Sequence, residues 1–114
     1  MGSLREEKII PIQAISTALS EADIQQLSAQ LAGWDLIHVN GENRLQRIFK
    51  LKDFKQALAL TDQIGALAEK ENHHPSILTE WGKVTVTWWT HKVHGLHQND
   101  FIMAARTDEL FDRM

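Results

Sequence analysis

The stretch Lys83-Val84-Thr85-Val86-Thr87-Trp88-Trp89-Thr90-His91 sends Val84, Val86 and Trp88 to one side and Thr85, Thr87 and Trp89 to the other. That period of two predicts a strand, with His91 at its end on the Trp89 side. Ile77 to Trp81 reads as a shorter strand leading into it. Upstream, Trp34 to Val39 alternates in the same way and runs into Asn40-Gly41. This dipeptide favours a tight two-residue hairpin because both residues tolerate positive φ. Arg44 to Leu51 is the return strand, placing Leu45, Phe49 and Leu51 on one face, which Arg47 interrupts.

Helix signals fill the intervals. Ser20 is a capping residue before Glu21 and Asp23; Ile24, Leu27 and Leu31 then recur at helical spacing up to Gly33, a suitable stop. Asp53, with Gln56 three residues on, opens a long helix whose expected buried stripe is Phe54, Leu58, Thr61, Ile64 and Ala68, ended by Pro75. Gln98 to Arg113 forms a last helix with Phe101, Ala104, Ala105, Asp108 and Phe111 along one side. The order helix, hairpin, helix, strands, helix predicts an α+β fold: an antiparallel four-stranded sheet with three helices packed on one face. Residues 20–114 are expected to form a single domain, and 1–19 a partly ordered tail whose Ile9, Ile10 and Ile12 dock on it.

Composition narrows the function. The 114 residues allow one compact domain, and 43% hydrophobic content supports a modest core. A formal net charge of -3 gives no basic patch for direct nucleic-acid binding. No apolar run approaches the roughly 20 residues of a membrane span, and no signal-peptide pattern opens the chain. With 0 Cys, disulfides, thiolate nucleophiles and cysteine-based zinc sites are excluded. A cytoplasmic location is the expectation.

Chemistry concentrates in Glu69-Lys70-Glu71-Asn72-His73-His74-Pro75, answered by Thr90-His91. Two imidazoles stand at a helix end and a third at a strand end. Imidazole both gives and takes protons near neutrality, so this grouping points to acid–base catalysis. Glu69 and His73, four apart, are expected to meet on one helix face. A carboxylate and a helix C-terminus both favour the proton-donating form of an imidazole. Trp34 and Trp89 are candidate walls for a flat ring. A metal site on His91, His94 and His97 is the competing reading; Gly95 and the strand before His91 argue against the helix that this spacing needs. No nucleophile elbow, phosphate loop or dinucleotide fingerprint is present.

Glu69-Lys70-Glu71-Asn72-His73-His74-Pro75, Trp81-Gly82-Lys83-Val84, Thr90-His91, Gly95-Leu96 and Asp100, with Gly33-Trp34 and Phe49-Lys50-Leu51-Lys52-Asp53-Phe54 upstream, resemble the pterin-4a-carbinolamine dehydratase family. The likeness runs from about Ser20 to the C-terminus. The run from Leu78 to Trp89 resembles most the bacterial branch associated with phenylalanine hydroxylase. Ser76 stands where many members carry an acid, Asn72 where Asp is frequent, and Lys92-Val93-His94 where acidic or small residues are commoner; none of these removes a catalytic position.

The resemblance implies removal of water from 4a-hydroxytetrahydropterin to give quinonoid dihydropterin, which recycles the pterin of aromatic amino-acid hydroxylation. It implies His73, His74 and His91 as the essential imidazoles and Glu69 as a supporting carboxylate. Pro75, Thr90, Lys92, Val93 and Trp34 are implied near the substrate, and Asp100 in a supporting position behind the site. Which His is acid and which is base stays open, with His73 and His91 preferred as proton donors and His74 as a substrate-binding group. No metal or other cofactor is implied, since the pterin is the substrate. A homodimer or homotetramer, built partly on the last helix, and a functional link to phenylalanine hydroxylase are implied too. The alternative is a binding module: relatives serve as a dimerisation cofactor of a transcription factor or are linked to regulation of the hydroxylase gene.

Overall fold

The structure, a computed structural model, describes residues 4–10 and 17–114; Ile12, expected to dock, lies outside them. Hairpins build the sheet. Asp35–Val39 (β1) turns into Glu42–Lys50 (β2) through Asn40 and Gly41, at φ 53° and 79°. Positive φ at both central residues is the turn whose twist matches that of the flanking strands. Ser76–Glu80 (β3) and Lys83–Trp88 (β4) form the second hairpin, with Gly82 at φ 71°. β4 then pairs antiparallel with β2, giving the order β1-β2-β4-β3. The four-stranded antiparallel sheet carries its helices on one face, as the sequence predicts.

Register decides the core. Leu45 opposes Trp88 and Phe49 opposes Val84, so Leu45, Phe49, Val84, Val86 and Trp88 form one buried layer. Glu21–Ser28 (α1), capped by the Ser20 hydroxyl, contributes Ile24. Phe54–Glu71 (α2), capped by Asp53, contributes Ala57, Leu60, Ile64 and Ala68. That stripe is rotated from the expected one: Phe54 and Leu58 are each 45% exposed. Small Ala57 and Ala68 let the helix approach the sheet, whereas Phe54, first in the helix, stays half-exposed. Gln98–Asp112 (α3) is buried from Asn99 through Ala105, because a 3₁₀ turn at Leu4–Glu6 covers the side that the sheet does not. The apolar side of α3 expected to serve self-association is thus largely occupied within one copy.

Arg47, the interruption in β2, resolves as an ion pair. Its Nη1 lies 2.6 Å from Asp108 Oδ1, and its guanidinium sits over Phe49 at 4.5 Å. Burial pushes the Asp108 carboxyl above the usual range, opposed by hydrogen bonds from Trp34 and Arg47 and by the charges of Arg47 and Arg5.

Candidate active site

The α2 C-terminus presents the two adjacent histidines. Asn72 adopts the left-handed conformation (φ 52°, ψ 43°), which Asn tolerates better than most residues. His73 N–H then reaches back to the Ala68 carbonyl at 3.1 Å, closing the helix in a Schellman-type end. The helix therefore stops at Glu71, ahead of the break expected from Pro75. His73 and His74 stand beyond it, in the extended backbone entering β3.

This turn redistributes the carboxylates. Glu69 pairs with His74 Nε2, not with His73, because Asn72 takes His73 out of the helical spacing. His73 is buried, stacked on Trp88 (5.6 Å between centroids, 14° between planes), and its Nε2 lies 2.6 Å from Asp100 Oδ1. An ionised carboxylate only accepts, so Nε2 of His73 and of His74 each carries the hydrogen. Among the described residues, Nδ1 is the ring nitrogen left uncommitted on both.

Asp100 is the hub of this architecture. It is fully buried at the start of α3, and its Oδ2 accepts the Thr90 hydroxyl at 2.8 Å and the His97 N–H at 2.9 Å. One carboxylate thus ties the α2–β3 corner, the end of β4 and the first turn of α3. Past β4, Thr90 bridges Gly95, and the loop between them holds His91–Val93 as a 3₁₀ turn closed by left-handed His94 (φ 55°). Trp89 Nε1–H donates to His91 Nδ1 at 3.4 Å. The Trp89 ring is covered by the Arg44 guanidinium at 4.0 Å, itself 3.3 Å from Glu42. His91 Nε2 is therefore the nitrogen this arrangement leaves for a ligand.

These segments enclose a cavity of about 480 Å³, within the size range of small-molecule sites. Of the residues named from the sequence, His73, His74, Trp89, Thr90, His91 and Lys92 line it. Other expected residues stand elsewhere. Trp34 donates its Nε1–H to Asp108 at 2.8 Å and packs edge-on against Phe49, and it is not part of the cavity lining. Val93 is buried in the loop, and neither it nor Pro75 is part of the lining. Ile9, Ile10, Glu71, Asn72 and Asn99 also line the cavity and were not singled out as site residues. Asn72 and Asn99 each adjoin a residue that was, which was the available signal; Ile9 and Ile10 carried none beyond their docking role.

Among the described residues, no group of three or more His, Asp or Glu side chains is placed to hold a metal ion. The His91, His94, His97 series disperses: His94 pairs with Glu42 at 3.3 Å, and His97 caps α3. His97 Nδ1 accepts the Asn99 N–H at 3.0 Å, so a proton there would break the cap. Burial pulls the His97 imidazole below its ordinary value of 6.5, and His73 adds to this while Asp100 opposes it. Below pH 6.5 the unfolded chain binds this proton first, so stability is full above that pH and falls as pH drops toward the folded value. Denaturation midpoints at about pH 7.5 and about pH 5.5 should therefore differ more in the wild type than in His97→Asn, whose cap does not titrate.

Fold and site together define a small α+β domain with a histidine-lined pocket at one end of its sheet. The chain belongs to the pterin-4a-carbinolamine dehydratase family: the family model described as Pterin 4 alpha carbinolamine dehydratase matches residues 17–110. Proteins of Microcystis aeruginosa and Marinobacter nauticus, each named "Putative pterin-4-alpha-carbinolamine dehydratase", are 50% identical over 111 residues. The match spans 97% of this chain and 96% and 100% of theirs. The crystal structure of a transcriptional coactivator/pterin dehydratase from Brucella melitensis is similar at a TM-score of 0.75 and 32% identity, covering 82% of this chain and 98% of that one. A pterin dehydratase-like RuBisCO assembly factor of the alpha-carboxysome shares the fold at a TM-score of 0.59 and 24% identity, covering 68% of this chain and 91% of its own.

Proposed function

We propose that this chain dehydrates 4a-hydroxytetrahydropterin to quinonoid dihydropterin, returning the pterin of aromatic amino-acid hydroxylation, phenylalanine hydroxylation in particular, for reduction. The observation that carries this reading is the convergence of His73, His74 and His91, from separate segments, on one cavity. Family membership supplies the substrate class. In the reaction the bond from C4a to the hydroxyl oxygen breaks, the oxygen gains a proton and leaves as water, N5 loses its proton, and a double bond forms between N5 and C4a. The step is redox-neutral and asks the protein only for one proton donor and one proton acceptor.

The site supports both roles. His73 and His74 each commit Nε2 to a carboxylate, which fixes the ring and leaves Nδ1 to exchange a proton. His91, oriented by Trp89, offers Nε2. Trp89, one face of which Arg44 covers, also lines the cavity beside them, and an indole suits contact with a heteroaromatic ring. The pterin is substrate in this scheme, and no resident cofactor takes part. We place the reaction in the cytoplasm, consistent with the absence, among the described residues, of a helix long and apolar enough to cross a membrane.

Titration with a stable dihydropterin lacking the 4a-hydroxyl, followed by nitrogen-15 resonances of the imidazoles, tests the site. His73, His74 and His91 should shift together while His38, outside the cavity lining, stays still. Shifts confined to residues outside the cavity would remove the reading.

A second reading, a partner-binding module, draws support from the Brucella melitensis protein, which is described as a transcriptional coactivator/pterin dehydratase. In this chain the sheet face away from the helices carries Ile48 and Leu78, 50% and 55% exposed, on either side of Thr85. We propose a self-associating dimer or tetramer under either reading. Light scattering that reports only 13.0 kDa would contradict it.

A further inference from the structure

Residues 4–10 precede the stretch matched by the family model, which begins at residue 17, yet they supply part of the cavity wall. The segment is anchored along α3. Leu4 is buried in the core, Arg5 pairs with Asp112 at 2.9 Å, and Glu7 takes hydrogen bonds from Gln98 at 3.0 Å and, through its carbonyl, from Arg106 at 2.6 Å. At the cavity the anchor is Asn99. Its Oδ1 accepts the Ile10 N–H at 2.8 Å, and its Nδ2–H donates to the Ile10 carbonyl. Asn99 is 1% exposed. A buried carboxamide that uses donor and acceptor on the backbone of one residue fixes that residue much as a β-bridge partner does, and leaving either group unpaired would be costly.

The consequence lies in the side chain so held. Ile9 packs against the core, whereas Ile10 is 44% exposed and lines the cavity that His73 and His91 also line. We propose that Ile10 is an affinity-determining apolar wall for the pterin ring and that Asn99 is the positioning residue that sets it there. This rests on the dehydratase reading for the identity of the ligand. An aliphatic side chain donates and accepts no proton, so its contact is equally good in the ground state and the transition state. Such uniform binding changes KM and leaves kcat alone. Asn99 precedes Asp100, so one turn of α3 sets both the imidazole of His73 and the wall.

The test is steady-state dehydration by the full chain, with calorimetric binding of a stable dihydropterin alongside. In Ile10→Ala, an exposed change that leaves the fold intact, KM and the dissociation constant should rise roughly five- to tenfold with kcat within about twofold of wild type. Asn99→Ala should show the same split, and the Ile10 amide should exchange with deuterium faster while the amides of α2 keep their protection. Unchanged KM and dissociation constant in Ile10→Ala, or a loss confined to kcat, would overturn the wall. Failure of the wild type to bind the dihydropterin would instead remove the dehydratase reading, and the wall's ligand with it.

Discussion

Turnover of 4a-hydroxytetrahydropterin should fall about a hundredfold in His91→Ala and at least about tenfold in His74→Ala, while both proteins melt at the wild-type temperature. The separation of rate from stability follows from where these rings sit. His91 is exposed and held by one long hydrogen bond from Trp89, and His74 pairs with Glu69 on the surface. Exposed pairs of that kind contribute roughly 0–1 kcal/mol to folding. A proton donor or acceptor at the reacting atoms, by contrast, contributes about 10²–10⁴-fold in rate. Initial rates and thermal melts on the same preparations measure both quantities. Full turnover in His91→Ala would leave the cavity without its proposed role for that residue. His73→Ala is a poorer probe, since it also strips the buried Asp100 of a partner and the Trp88 ring of its stacking neighbour.

Asp100→Ala should be the most destabilising single change in the site, by about 3–5 kcal/mol. The carboxylate is wholly buried and accepts from His73, Thr90 and His97, so its removal orphans three donors in three segments. Such a loss is a large part of the 5–15 kcal/mol that holds an ordinary domain together. It should lower the melting temperature by more than about 10 °C. Asp100→Asn keeps an acceptor but turns an N–H toward a donor, and should recover only part of the loss. Urea denaturation of the three proteins reads the ranking directly. Equal stability of Asp100→Ala and wild type would mean that the hub does not tie these segments together.

What could be read before the structure, and what could not, divides along physical lines. The strands were legible because alternation at Lys83–Trp88 and the Asn40-Gly41 turn are local signals; the pairing of β2 with β4, across α2 and β3, had no such signal. The stripe on α2 was misplaced because Phe54 and Leu58 are larger than Ala57, and size outweighed the small residues that let a helix approach a sheet closely. Arg47 read as an interruption of an apolar face until Asp108, 61 residues on, supplied its partner. The convergence of His73, His74 and His91 was legible from residue type and resemblance. The exchange of carboxylates was not: it depends on one left-handed residue, Asn72, which moves His73 off the helix and hands it to Asp100. Trp34 was misread for a similar reason, as an indole N–H needs an acceptor and Asp108 provides one from a distant segment. The wall formed by Ile10 had no local signature, because it depends on a carboxamide 89 residues downstream.

The most direct test is a stopped-flow record of 4a-hydroxytetrahydropterin, generated by a hydroxylase in the same mixture, decaying with and without the wild-type chain after treatment with a chelator. Decay that accelerates in proportion to protein concentration, and keeps its full rate in the chelator, is the expected result. Decay at the spontaneous rate, from protein that is folded by circular dichroism, would contradict the assignment of water expulsion to these three imidazoles.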